Sequence, residues 1–237
     1  MPSFEHAGAT IHYEEKGSGP ALLTLAPGGM RSAADLWAKA PFDPRAEFSD
    51  LCRVISMDQR NAGASTGPIE ADHGWHTYTA DQVALLDHLG IEKCAIIGMC
   101  IGGPFCLDLM QGVPERITGA VLLQSIGVAD NDGLFHEMYD GWMNDVRPQR
   151  PEVSGDAWAG LRSNLFDGDF VFNVSREFVR ECETPMLVMR GNDPYHPAAV
   201  SEELAELAPN AELVAEWKEG AARDAAIERI RRFLSKA

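Results

Sequence analysis

Long apolar runs are missing from this chain, and no stretch approaches the ~20 residues a helix needs to cross a bilayer, which excludes a membrane-spanning helix. Basic charge is also scarce. Lys and Arg total 20 against 36 Asp and Glu, for a formal charge of −16. A surface that acidic repels a phosphate backbone, so nucleic acid is not an expected partner. Lys and Arg gather only near the C-terminus, at Arg223 and from Arg229 to Lys236, as the solvated face and basic last turn of a terminal helix. Cysteines number five, an odd count without C-x-x-C spacing, which speaks against both a disulfide framework and a zinc site. Metal-ligand spacings and a G-x-x-x-x-G-K phosphate loop are absent, and no cofactor is expected. Met1 to Gly19 has neither a basic head nor an apolar run ending in small residues. The expectation is therefore a cytoplasmic protein acting on a small molecule.

What is present suits one domain: 237 residues, 45% apolar and 24% charged. Short apolar runs alternate with amphipathic segments of helical length, the rhythm of a mostly parallel sheet covered on both faces. The predicted strands are Ala21–Leu25, Arg53–Met57, Lys93–Ile97, Gly119–Gln124, Met186–Arg190 and Glu212–Glu216. Helices are predicted over Ser32–Ala40, Ala80–Leu89, Ile101–Gln111, Ser201–Leu207 and Arg223–Leu234. Only the stretch between Gly127 and Pro185 breaks this rhythm. Rich in Asp, Asn, Gly, Trp and Phe, it predicts a small helical cap over residues 128–184, inserted in a core of residues 1–127 and 185–237.

Ligands of open α/β sheets bind beyond the carboxyl ends of the strands, so the turns after the strands carry the functional signal. Four stand out: Ala26-Pro27-Gly28-Gly29-Met30, the polar loop Asp58 to Ser65, Gly98-Met99-Cys100-Ile101-Gly102-Gly103, and Gly191-Asn192-Asp193-Pro194-Tyr195-His196. The third resembles the G-x-S-x-G nucleophile elbow of the α/β-hydrolase fold superfamily, with cysteine in place of serine. His12-Tyr13-Glu14 followed by Gly17-Ser18-Gly19-Pro20 is similar to the family's opening hairpin. Pro27-Gly28-Gly29 stands where its oxyanion loop lies, and Asp58-x-Arg60 with Gly63 and Ser65 resembles its D-x-R-G-x-G-x-S loop, with Asn61 replacing the first glycine.

The resemblance implies an α/β-hydrolase fold and a hydrolase that cleaves a small ester, lactone or thioester through Cys100. It places the oxyanion-stabilising N–H groups on Ile101 and on Gly29 or Met30, and the acid on Asp193. The elbow also sets Cys100 at the N-terminus of the following helix, where a thiol ionises more easily. Where relatives carry Gly-His after the last strand, this chain has Gly220-Ala221, so a conventional triad cannot be assembled from the usual positions. His196, three residues after Asp193, is the leading candidate for the base, ahead of His73, His76 and His136. Arg31 and Arg60 are candidates to hold a substrate carboxylate, and Trp142 to line the pocket with the other cap aromatics. The missing histidine keeps a second reading open, a ligand-binding or non-hydrolytic, lyase-like descendant of the fold with a degenerate triad. Cys52, Cys94, Cys106 and Cys182 are expected to pack in the core.

Overall fold

The computed structural model describes residues 2–236. Its strands are β1 (Ser3–His6), β2 (Ala9–Lys16), β3 (Ala21–Leu25), β4 (Arg53–Met57), β5 (Cys94–Met99), β6 (Ile117–Leu123), β7 (Met186–Met189) and β8 (Ala211–Val214). The helices are α1 (Pro44–Glu47), α2 (Trp75–His88), α3 (Gly102–Gly112), α4 (Asp132–Val146), α5 (Gly155–Phe166), α6 (Arg176–Glu181), α7 (Ala198–Leu207) and α8 (Gly220–Leu234). The eight strands form one sheet in the order β1-β2-β4-β3-β5-β6-β7-β8. β1 and β2 are an antiparallel hairpin, β2 pairs antiparallel with β4, and every later pairing is parallel.

Strand side chains alternate between two apolar layers, as period-two geometry requires. Leu23, Ile55, Ile96, Leu122 and Val188 face one layer, with α2, α3 and the aromatics of the β6–β7 insertion. Leu22, Val54, Ile97, Val121 and Leu187 face the other, with Trp37, Phe48 and α8. β5 is central, and all six of its residues are buried.

The helix predicted over Ser32–Ala40 is instead a pair of 3₁₀ turns, Gly29–Arg31 and Ala34–Lys39. Side chains capture the local backbone there: Ser32 Oγ donates to Ala26 O at 2.7 Å, and the Asp58 carboxylate accepts from Ala34 N–H at 2.9 Å, which diverts groups a longer helix would need. α2 starts five residues before the predicted Ala80, because the Thr77 hydroxyl caps its first turn by accepting from Gly74 N–H. Helix α7 starts at Ala198, after Pro197, and not at Ser201, whose hydroxyl instead accepts from Gly191 N–H at 3.0 Å.

Between β6 and β7, α4, α5 and α6 pack over the α2–α3 face. Trp142 is only 1% exposed, with its ring 5.4 Å from Tyr139 and 5.7 Å from Trp158. Tyr139 Oη donates to Trp158 O at 2.8 Å, and Trp75 Nε1 donates to Leu165 O at 2.9 Å, which ties the insertion to α2. Trp142 therefore packs in the interior of this insertion.

Candidate active site

Between β5 and α3 the backbone reverses direction in one residue. Cys100 has φ of 60°, in the left-handed region that costs a side-chain-bearing residue about 1 kcal/mol. The turn closes only because Gly98 precedes it by two: a Cβ on Gly98 would lie 2.1 Å from Gly102 O. Hydrogen bonds then fix it. Cys100 N–H donates to Leu123 O at 3.0 Å, and Cys100 O accepts from Gly103 and Ile126 N–H at 3.1 and 3.2 Å.

The thiol meets three kinds of group. Burial, the largest influence, would push it up, but neighbouring His196 and the N–H groups of Gly28 and Ile101 together outweigh it. The Cys100 pKa consequently lies below that of an ordinary thiol. Buried Cys94, without such partners, is pushed up to about 12, and Cys106 is well above the usual range. Ile101 was expected to face the reacting centre. On the glycine loop the N–H that approaches the sulfur belongs to Gly28, one residue before the expected Gly29 and Met30, which begin the 3₁₀ turn.

Asp193 and His196 come from a single turn after β7. The two residues exchange backbone hydrogen bonds, Asp193 N–H to His196 O at 3.3 Å and His196 N–H to Asp193 O at 3.0 Å. The Asp193 carboxylate accepts from Tyr195 and His196 N–H at 3.0 and 3.1 Å and holds His196 Nδ1 with both oxygens at 2.8 Å. Burial raises the Asp193 pKa, but these bonds outweigh it and hold the carboxyl below its usual range. With Nδ1 so committed, Nε2 is the nitrogen left for the thiol. It is buried and has no hydrogen-bond partner among the described residues. Burial lowers the imidazole pKa, while Cys100 and Asp193 together raise it above its ordinary value.

The remaining histidines have other contacts. His136 pairs with Asp167 at 2.9 Å, and His73 Nδ1 accepts from Glu70 N–H at 3.3 Å. His76 borders two surface grooves of about 570 Å3, both of which also border Asp108. Neither groove reaches Cys100, nor does a groove of about 610 Å3 beside Gly67 and Arg150. Arg60, with a side chain 4% exposed, forms a bidentate pair with fully buried Asp81 at 2.7 and 2.8 Å, which commits its guanidinium to the protein interior. Arg31 reaches α4, where it donates to Gly141 O at 3.3 Å and pairs with Asp145. At Ala221, in the first turn of α8, the side chain is exposed.

One feature left no signal in the sequence. Helix α4 bridges both functional loops: Met138 packs on Gly29 so closely that a Cβ there would lie 2.1 Å from its sulfur. Three residues away, Phe135 meets the ring of Tyr195 edge-on at 6.0 Å, and Asn131 Nδ2 donates to Pro194 O at 2.8 Å. Met138 and Phe135 could be read as a helical pair, but their targets lie in distant loops.

The family model for the alpha/beta hydrolase fold matches residues 23–157, more than half of the chain. The chain is 31% identical over 123 residues to 2-hydroxymuconate semialdehyde hydrolase of Pseudomonas putida, covering 52% of this chain and 42% of that protein. It is 24% identical over 246 residues to the bifunctional esterase/perhydrolase DCH of Acinetobacter calcoaceticus, covering 87% of each. The chain spans about half the length of the leading curated relatives it matches, 42 to 56%. Among solved structures, a mutant of the meta-cleavage product hydrolase CumD of Pseudomonas fluorescens superposes with a TM-score of 0.76 at 20% identity, covering 100% of this chain and 98% of that one.

Proposed function

The chain belongs to the α/β-hydrolase fold family, and from that premise we propose that it hydrolyses a small ester, lactone or thioester with Cys100 as nucleophile, His196 as base and Asp193 as the acid that orients it. The observation that carries this reading is the arrangement around one sulfur: a thiol with a lowered pKa at a strained turn, facing an imidazole whose far nitrogen is held by a carboxylate. The family's usual histidine position is empty of imidazole, but the turn after β7 supplies both acid and base.

In this reading the Cys100 thiolate attacks the substrate carbonyl carbon, a C–S bond forms, and the carbonyl π electrons move to oxygen. The N–H groups of Ile101 and of Gly29 or Met30 are the donors that would stabilise that oxyanion. As the tetrahedral species collapses, His196 Nε2–H protonates the departing alcohol or thiol and leaves an acyl-thioester on Cys100. His196, now neutral, takes a proton from water, whose oxygen attacks the acyl carbon. Collapse breaks the C–S bond, releases the carboxylic acid and regenerates the thiolate–imidazolium pair. The β6–β7 insertion serves as a cap that keeps the site apolar, with Met138 and Tyr195 beside it.

A panel of small p-nitrophenyl esters, lactones and acyl thioesters tests the proposal. Cys100→Ala is expected to abolish turnover, and Cys52→Ala to leave it within a few fold. Equal loss in both, or turnover by the Cys100→Ala protein, would overturn it.

A further inference from the structure

Relatives are expected to supply their histidine from the loop between the last strand and last helix. Here that loop, residues 215–219, still reaches the site, by a different side chain. Lys218 Nζ lies 4.0 Å from Asp193 Oδ2 and bonds to the Asn192 side-chain oxygen. Its ammonium also sits 5.5 Å from the Trp217 ring centroid. Trp217 is buried and donates from Nε1 to Arg190 O at 2.8 Å, which anchors the loop to the end of β7.

Resting on the thiol–imidazole reading above, we propose that Lys218 is a positioning residue for the Asp193–His196 pair, a fixed cation behind the carboxylate that sets how strongly Asp193 draws the proton toward His196.

The carboxylate has two sides. Oδ1 accepts the N–H groups of Tyr195 and His196, and both oxygens meet His196 Nδ1. The charged groups beyond are few. Lys218 faces Oδ2, while Glu216 and Arg190 flank the lysine, and Arg190 is itself paired with Glu202 and Glu216. Burial lowers the Lys218 pKa, whereas Asp193 and Glu216 hold it up. A cation behind the carboxylate reduces its pull on the imidazolium, so His196 releases its proton at lower pH than it would with Asp193 alone. In this proposal the loop's contribution is made to the acid and not to the nucleophile. It acts through Asp193 and touches no reacting atom.

The test is the pH dependence of Cys100 alkylation by iodoacetamide in the full-length protein, compared for unmutated, Lys218→Met and Lys218→Arg proteins. Removing one nearby positive charge favours every protonated form of the site. The Lys218→Met profile should shift upward by about 0.3–0.5 pH unit, with alkylation about two- to threefold slower on its acid limb, and Lys218→Arg should restore the original profile. A purely structural lysine would lower the melting temperature without moving the profile. Should Lys218→Met fail to fold, Lys218→Gln carries the same expectation. Superposable profiles for the unmutated and uncharged proteins would overturn the role of Lys218 alone. An unmutated protein whose thiol titrates like a free cysteine would overturn the hydrolase reading, and this inference with it.

Discussion

A thiolate and an imidazolium stabilise each other, so the protonation of Cys100 and His196 has to be read together. The Cys100 pKa is lowered, so its thiolate persists below the ~8.5 of an ordinary thiol and is lost only as pH falls through the lowered value. The His196 pKa is raised, so the imidazolium is complete below its ordinary value and is lost as pH rises through the raised one. The alkylation rate of Cys100 should therefore reach half its maximum below pH ~8.5. His196→Ala should move that midpoint upward, because the largest favourable partner of the thiolate is gone. Alkylation with an unchanged midpoint would remove His196 from the pair. Asp193→Asn should cost activity by a different route, since an amide cannot fix the same tautomer with both oxygens, and a loss of about 10²-fold or more in kcat is expected. The sequence singled out Cys100, Ile101, Asp193 and His196, and the structure brings these four residues together. That the Gly28 N–H approaches the sulfur was not legible, because a glycine pair specifies a tight turn without saying which N–H points inward.

At the scale of elements, two kinds of local device hold the site. Gly98 and Gly102 let β5 and α3 meet at the elbow, and Gly98→Ala should destabilise the protein by about 3 kcal/mol, since the new methyl would collide with backbone oxygen that cannot step aside. The second device is capping. Ser154 and Ser175 begin α5 and α6 by accepting from Ala157 and Phe178 N–H, each at 3.1 Å. Removing either hydroxyl should cost about 1 kcal/mol, or about 2–4 °C in Tm for a chain of this size. Thermal unfolding of Ser154→Ala checks this, and no change would mean that the cap is supplied by water. Strand positions were the most readable elements, because six of them are short apolar runs bounded by polar turns. Ser32–Ala40 misled because its amphipathic pattern suits a helix, while Ser32 and Asp58 tie the backbone elsewhere.

For the whole molecule, the deepest electrostatic feature is the Arg60–Asp81 pair, which locks the loop after β4 to α2 and is extended by His6 Nδ1 at 2.8 Å from Asp81. Sequence alone offered Arg60 as a substrate contact because its loop ends near the cleft, and only tertiary packing reveals the carboxylate of Asp81 waiting within α2. Asp81→Ala would leave a guanidinium buried without its counter-ion, at a cost of about 3–5 kcal/mol. Chemical denaturation is the measurement, and a loss below about 1 kcal/mol would mean that water replaces the carboxylate.

Helix α4 rests Met138 on Gly29 and Phe135 against Tyr195, and this crowding over the two functional loops is expected to act as a sieve for reagents that reach Cys100. Reagents of equal intrinsic reactivity should then be sorted by girth: iodoacetamide should modify Cys100 far faster than a bulky N-aryl maleimide, by a ratio well above that of a free thiol in solution. Met138→Ala should narrow that ratio by admitting the larger reagent, while leaving the smaller one nearly unaffected. Selectivity would then reside in a thioether at the rim, a flexible group that many substrates can push aside and few can pass without touching.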